Sequence, residues 1–140
     1  MSAWLGTQAL AALATALALG GMTFFSFAMA PLVFRTLERE SAALFMRAAF
    51  PLYYRLMAAF TGAAAVLGWG RPEAFPVIAV CAVLVYLWLV FLPRVNRYRD
   101  AKMAGDEDAA RAFGRLHRIS VIVNLALMLI LLATFLSLAA

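Results

Sequence analysis

Residues 3–34 read AWLGTQALAALATALALGGMTFFSFAMAPLVF, and this stretch of 32 residues contains no charged side chain. As an α-helix it would extend about 48 Å, which exceeds the bilayer hydrocarbon thickness of about 30 Å. Counting back about twenty residues from Arg35 predicts a first membrane span at 15–34. The Gly20-Gly21 pair inside it is a candidate flexure.

Three further apolar stretches follow and predict spans at about 52–69, 76–92 and 119–138. Pro51 and Pro93 are expected to interrupt the helix at the inner ends of the second and third spans. Gly70-Arg71-Pro72-Glu73 predicts a tight outer turn, and Asp106 is a candidate N-cap for the last helix. Residues 36–49 are amphipathic and predict a helix lying on the membrane surface.

The basic residues border only some of these stretches. Eleven lie in or beside the segments 35–55 and 94–118, whereas Arg71 alone lies near the other turn. Because short cytoplasmic loops are enriched in Lys and Arg, this asymmetry predicts two inner loops and both termini outside. The sequence therefore predicts one all-α membrane domain over residues 1–140, a four-helix bundle made of two helical hairpins.

The composition argues against a soluble domain. Hydrophobic residues make up 66% of the chain, charged residues 14%, and the mean hydropathy is +0.92. The net charge of +5 borders apolar spans rather than forming a basic face, so we expect the lipid bilayer as partner and no nucleic acid.

The two halves of the chain share a short pattern. Pro31-x-Val33-x-Arg35 opens the first inner loop, and Pro93-x-Val95-x-Arg97 opens the second. A duplicated helical hairpin and chance similarity both explain this pattern.

Small residues predict how the helices associate, since close backbone approach replaces the hydrophobic effect in lipid. They recur every fourth position in the first two spans, and we expect their faces to meet: Ala12, Ala16, Gly20, Ala58 and Gly62.

Polar residues near the inner ends of the spans form the one candidate site. His117, Ser120 and Asn124 share a face of the last helix, and other polar residues lie at a comparable depth. The predicted cluster is Arg47, Tyr53, Tyr54, Asn96, His117, Ser120 and Asn124. No metal site or enzyme motif is present in the sequence, which favours a non-enzymatic protein without a cofactor. The alternative is haem or redox binding by His117, although a bis-imidazole site would need a histidine from another subunit.

Two groups of motifs resemble the family of human transmembrane protein 205. The first group is Gly20-Gly21-Met22-Thr23-Phe24-Phe25, Ala30-Pro31-Leu32-Val33-Phe34 and Phe50-Pro51-Leu52-Tyr53-Tyr54. The second is Pro93-x-x-Asn96-x-x-x-Asp100 with Phe113-x-x-Leu116-His117-x-x-Ser120 and Asn124. The resemblance implies a four-span membrane domain that is widespread in bacteria and has no established reaction. With the predicted topology, we expect it in the bacterial inner membrane with both termini on the periplasmic side.

The expected function is therefore a component of a small-solute or lipid pathway, or an accessory subunit of a larger membrane complex. Four short spans enclose little space, so transport would require a homo-oligomer or a partner.

Overall fold

Helices joined by short turns make up the chain from Ala3 to Ala140, which a computed structural model describes, with side chains from Gly6 onward. One π-helical turn, Phe25–Met29, joins α1 to α2, and a second, Leu87–Phe91, joins α4 to α5. Within these residues, four continuous helices are long and apolar enough to cross a membrane. The predicted all-α membrane bundle is confirmed. Its helices are α1 (Ala3–Phe24), α2 (Ala30–Thr36), α3 (Arg39–Leu67), α4 (Ala74–Tyr86), α5 (Leu92–Met103) and α6 (Glu107–Ala139).

The prolines do not end their helices, which corrects the prediction for Pro51 and Pro93. Pro51 lies inside α3, and Pro93 lies in the first turn of α5. Each π turn ends two residues before a proline, Pro31 or Pro93. A proline clashes with the carbonyl one turn back, and the wider π turn gives that carbonyl room. The Gly20-Gly21 pair lies in regular α-helix, and the first helix departs from it only in the π turn Phe25–Met29.

The turns follow their sequence signals. Gly70 and Gly105 have φ values of +86° and +95°, which glycine adopts without steric cost. The Asp106 side chain accepts a hydrogen bond from the backbone N–H of Ala109 at 3.0 Å, so the predicted N-cap is confirmed. The turn between α3 and α4 occupies 68–73 and contains the predicted Gly70-Arg71-Pro72-Glu73.

The predicted surface helix at 36–49 is not a separate element. Leu37 and Glu38 form the turn, and residues 39–49 are the first turns of α3. With 29 residues, α3 extends about 44 Å, so it reaches well beyond the hydrocarbon. Most basic residues thus lie on extensions of the membrane helices at one end of the bundle. We call this end the inner end and the opposite end, at the turn 68–73, the outer end, after the predicted topology.

At the outer ends, α1 and α3 pack through small residues. Of those predicted on α1, Ala12 is buried, Ala16 is half-buried and Gly20 is exposed. Buried small residues form this contact, whereas Gly20 is exposed and has no atom within 4 Å of a built Cβ. Gly62 lies beside Cys81 of α4 instead of α1. A helix has 3.6 residues per turn, so a strict spacing of four drifts off the buried face. In the α1–α3 contact, Ala14 packs with Ala64 and Ala65, and Ala11 lies beside Gly68.

Candidate functional site

The first π turn separates the inner ends of two neighbouring helices. Before the turn, α1 packs along α6 and α3; after it, α2 packs against α3. A π turn inserts an extra residue and changes the direction of a helix, and such turns recur at functional sites. An opening between α2 and α6 results.

Four aromatic rings line the α3 side of this opening. Phe25, in the π turn, stacks on Tyr53 with ring centroids 4.5 Å apart, and Phe50 stacks on Tyr54 at 5.9 Å. Tyr53 and Tyr54 also meet edge to face at 5.2 Å. Both tyrosines are buried, so the aromatic wall is part of the hydrophobic core.

A hydrogen-bond network crosses the opening and joins three helices. The Tyr53 hydroxyl donates to Asn124 Oδ1 at 2.8 Å, and Asn124 Nδ2 donates to Ser26 Oγ at 2.9 Å. Ser26 belongs to the π turn, so the distortion of the first helix positions one member of the network. Because Asn124 serves as acceptor and donor at once, its amide orientation is fixed.

We call this opening the tyrosine cleft; it has a volume of about 350 Å³. Its rim is apolar and exposed, with Phe27 63% and Leu125 43% accessible. Phe27 and Leu125 lie in helices long and apolar enough to cross a membrane, so we expect the cleft to open sideways to lipid. Its walls are Phe25, Ser26, Phe27, Ala30, Pro31, Phe34, Phe50, Tyr53, Tyr54, His117, Ser120, Val121, Asn124 and Leu125.

A second space of about 580 Å³, the basic cavity, adjoins the cleft. The two spaces share four lining residues, which are Ala30, Phe34, Phe50 and His117. Side chains from all four membrane helices surround it. Two cations lie over the ring of Phe113. Lys102 Nζ is 4.9 Å from the ring centroid, and Arg99 Cζ is 5.8 Å from it. The walls are Ala30, Phe34, Arg39, Ala43, Met46, Phe50, Arg99, Lys102, Met103, Phe113 and His117.

On the other side of α3, a groove contains an ion pair. Arg47 donates two hydrogen bonds to Asp100, at 2.9 and 2.8 Å, which join α3 to α5. The hydrogen bond from Arg47 holds the pKa of Asp100 below its usual value. Asn96 also lines this groove, and its Oδ1 is buried without a partner among the described residues.

The predicted polar cluster thus divides between two places. Five of its seven members line the tyrosine cleft: Tyr53, Tyr54, His117, Ser120 and Asn124. The other two, Arg47 and Asn96, lie in the groove with Asp100. His117 is exposed and stacks on Phe113 with centroids 6.3 Å apart, between the cleft and the basic cavity.

Sequence reasoning missed Ser26 and the basic cavity. Ser26 lies in the middle of the first apolar span, where a lone serine carries no signal. The proline five residues later was the available clue, because a membrane helix often deforms in the turn before a proline. The cations Arg39, Arg99 and Lys102 were counted only as markers of topology.

Comparisons with known proteins give the chain a family without a described activity. A family model described as a domain of unknown function, DUF4149, matches residues 13–104. An uncharacterized protein of Aquifex aeolicus (strain VF5) is 32% identical over 124 residues, which cover 89% of each chain. No solved structure matches the chain.

Proposed function

The chain belongs to the family described as domain of unknown function DUF4149, and from its geometry we propose that it binds a membrane-derived amphiphile in the tyrosine cleft. In this proposal it is a non-enzymatic component of a lipid or small-solute pathway. We also propose that the protein is related to the transmembrane protein 205 family.

The Tyr53–Asn124–Ser26 network is the observation that carries this function. Polar side chains are expensive within a membrane and are placed there for helix association or for a ligand. Here they lie at a cleft whose rim is apolar and exposed to lipid. An aromatic wall with a few convergent polar groups is the composition typical of small-molecule sites.

The charge distribution supports a position in the bacterial inner membrane with periplasmic termini. The ends of the helices that carry the two predicted inner loops hold eleven cations and six acids, so the whole net charge of +5 lies there. Anionic lipids of a cytoplasmic leaflet attract such a surface. The cleft then opens to the inner half of the bilayer.

We propose that transport, if it is the role, needs several copies or a partner complex. The outer half of the bundle is filled by side chains such as Val77, Leu131 and Leu138, so a single copy offers a site rather than a route. Native mass spectrometry of the detergent-purified protein gives the copy number, the retained amphiphile and any bound subunit. A bare monomer would contradict the oligomeric part of the proposal.

Haem binding by His117 is the second candidate, because this ring lies at the junction of the cleft and the basic cavity. The chain has a single histidine, so another ligand would come from a second copy or a partner. A Soret band in protein from haem-supplemented cells, lost in His117→Ala, would support it. Absence of the band would remove it.

A matched pair of variants tests the amphiphile function. Val121 lies at the rim of the cleft and is 46% exposed, whereas Val66 is 74% exposed near the outer end of α3. We expect Val121→Trp to fill the cleft and to weaken binding of monopalmitoylglycerol at least tenfold, about 1.4 kcal/mol. Val66→Trp should bind as the wild type does. Equal binding by both variants would overturn the proposal.

A further inference from the structure

The basic cavity has a charge imbalance that its surroundings do not correct. Arg39, Arg99 and Lys102 contribute to its walls, and none of the described residues in those walls is acidic. None of these three cations has a carboxylate oxygen within 4 Å among the residues from Gly6 onward. Like charges gathered around one space repel each other, and an anion between them would relieve this repulsion.

Arg99 shows the imbalance at a single atom. Its Nη1 is buried and has no hydrogen-bond partner in the described structure. Burial and the nearby Arg47 cation lower the pKa of Arg99, although Asp100 opposes this shift. A buried guanidinium donor without an acceptor is costly, and proteins almost always pair such groups.

The remaining walls describe the rest of the ligand. Phe34, Met46 and Phe113 make much of the cavity surface apolar. Phe34 and Phe50 also line the tyrosine cleft, so the two spaces adjoin. A molecule that occupied both spaces would place a charged head among the cations and an apolar chain in the cleft.

We propose that the basic cavity binds a phosphate group, held by Arg99 with Lys102 and Arg39 at its mouth. The inference rests on the proposed amphiphile function and names the head group of the same ligand. A guanidinium fork donates two parallel hydrogen bonds to phosphate, and a lysine ammonium adds a mobile point charge. A cavity of about 580 Å³ has room for such a head group.

Binding of three probes to the detergent-purified protein tests this proposal: palmitoyl lysophosphatidic acid, monopalmitoylglycerol and inorganic phosphate. The first two share the acyl chain and glycerol and differ in the phosphate. We expect lysophosphatidic acid to bind at least tenfold more tightly than monopalmitoylglycerol. Arg99→Gln should remove most of this preference, because it deletes the buried donor and one charge.

Two further variants control the result. Arg94→Gln removes the same charge from an exposed position on α5 outside the cavity walls, and should keep the preference. Lys102→Gln changes an exposed side chain at the mouth, so it should fold normally and reduce the preference several-fold. An unchanged preference in both Arg99→Gln and Lys102→Gln would overturn the phosphate site.

The outcomes separate this inference from the function on which it rests. If Val121→Trp blocks both acyl probes and the cavity variants change nothing, the amphiphile function stands and the phosphate site falls. If Val121→Trp blocks neither, the function itself falls. Inorganic phosphate that binds as tightly as lysophosphatidic acid supports the anion site and assigns it to free phosphate instead of a lipid head group.

Discussion

The buried threonines of the outer half and the buried tyrosine network of the inner half satisfy their polar groups in different ways. In the outer half, the buried hydroxyls of Thr15, Thr61 and Thr134 each donate to a carbonyl of their own helix, four residues earlier. In the inner half, Tyr53 and Asn124 bond across helices. These three threonine bonds need no partner helix, whereas the Tyr53–Asn124–Ser26 network exists only when three helices meet.

The packing differs in the same direction. Alanines and a glycine bring the outer parts of α1 and α3 close together. The inner parts are held by large aromatic rings beside a cleft and a cavity. We infer that the outer half supplies stability and the inner half supplies the site, and the following four predictions test this division.

The largest effect is expected from Ala18→Leu in the outer part of the bundle. Ala18 is fully buried, so three added carbons have no space, and overpacking of this kind costs about 1–3 kcal/mol. The matched change Ala30→Leu adds the same atoms beside the cleft and basic cavity, which can accept them. Thermal unfolding in detergent should show a loss for Ala18→Leu and little change for Ala30→Leu.

Binding should change in the opposite order. Ala30→Leu occupies ligand space and should weaken binding of monopalmitoylglycerol, whereas residual folded Ala18→Leu should bind normally. Equal destabilisation by the two substitutions would mean that the inner half is packed as tightly as the outer one.

A smaller loss, about 1–2 kcal/mol, is expected for Asn124→Leu. This change leaves the Tyr53 hydroxyl and Ser26 without their partner. Thr134→Val, in the same helix, removes a bond to the carbonyl of Ile130 alone and should cost less. The free energy of unfolding from denaturant titration measures both.

A double-mutant cycle of Tyr53→Phe with Asn124→Leu isolates the bond between helices. A coupling energy of about 0.5–1.5 kcal/mol is expected. Additive losses would show that the network lends no cross-helix stability, and the contrast between the two halves would then rest on packing alone.

Much of the fold could be predicted from the sequence because its signals are local. Four uncharged stretches, the Gly70 turn and the Asp106 cap each depend on a few neighbouring residues. Which face of α1 packs against α3 depends on the angular position of each residue around the helix, and this was harder to predict. Residues spaced by four misled the prediction for Gly20, which is exposed.

The site could be predicted only in part. Tyr53 and Asn124 share a depth, so topology indicated their meeting. The partner Ser26 depended on a π turn, and the basic cavity depended on how the inner extensions of four helices converge. No short sequence motif indicates which side chains from distant parts of the chain will meet in this way.

A stabilising change of about 0.5–1 kcal/mol is expected for Gly20→Ala. Gly20 lies in α1 with open space around it, so a methyl group restricts the unfolded chain and meets no atom. Gly21→Ala is the neighbouring control, because its Cβ would come within 2.7 Å of Met57 Cε. A lower melting temperature for Gly20→Ala would restore the predicted packing role of Gly20.

The smallest change in stability is expected from two polar contacts, one at each end of the bundle, which we call the inner tie and the outer tie. The inner tie is the Arg47–Asp100 ion pair, and the outer tie is the hydrogen bond from Ser137 to Glu73 at 2.7 Å. The pKa of Asp100 is lowered by its bond to Arg47, and that of Glu73 by its bond to Ser137. Each carboxylate therefore stabilises the fold above its unfolded pKa, and this contribution is lost as the pH falls through the folded value.

The two ties should respond differently to salt. Both are exposed, so the melting-temperature losses in Asp100→Asn and Ser137→Ala should be slight at pH 7 and should shrink in acid. Added salt at about 0.5 M shortens the Debye length to about 4 Å. It should reduce the loss in Asp100→Asn more than the loss in Ser137→Ala, because salt screens an ion pair more than a hydrogen bond from a neutral hydroxyl. Equal salt dependence would mean that the inner charges act through the whole basic surface instead of through this pair.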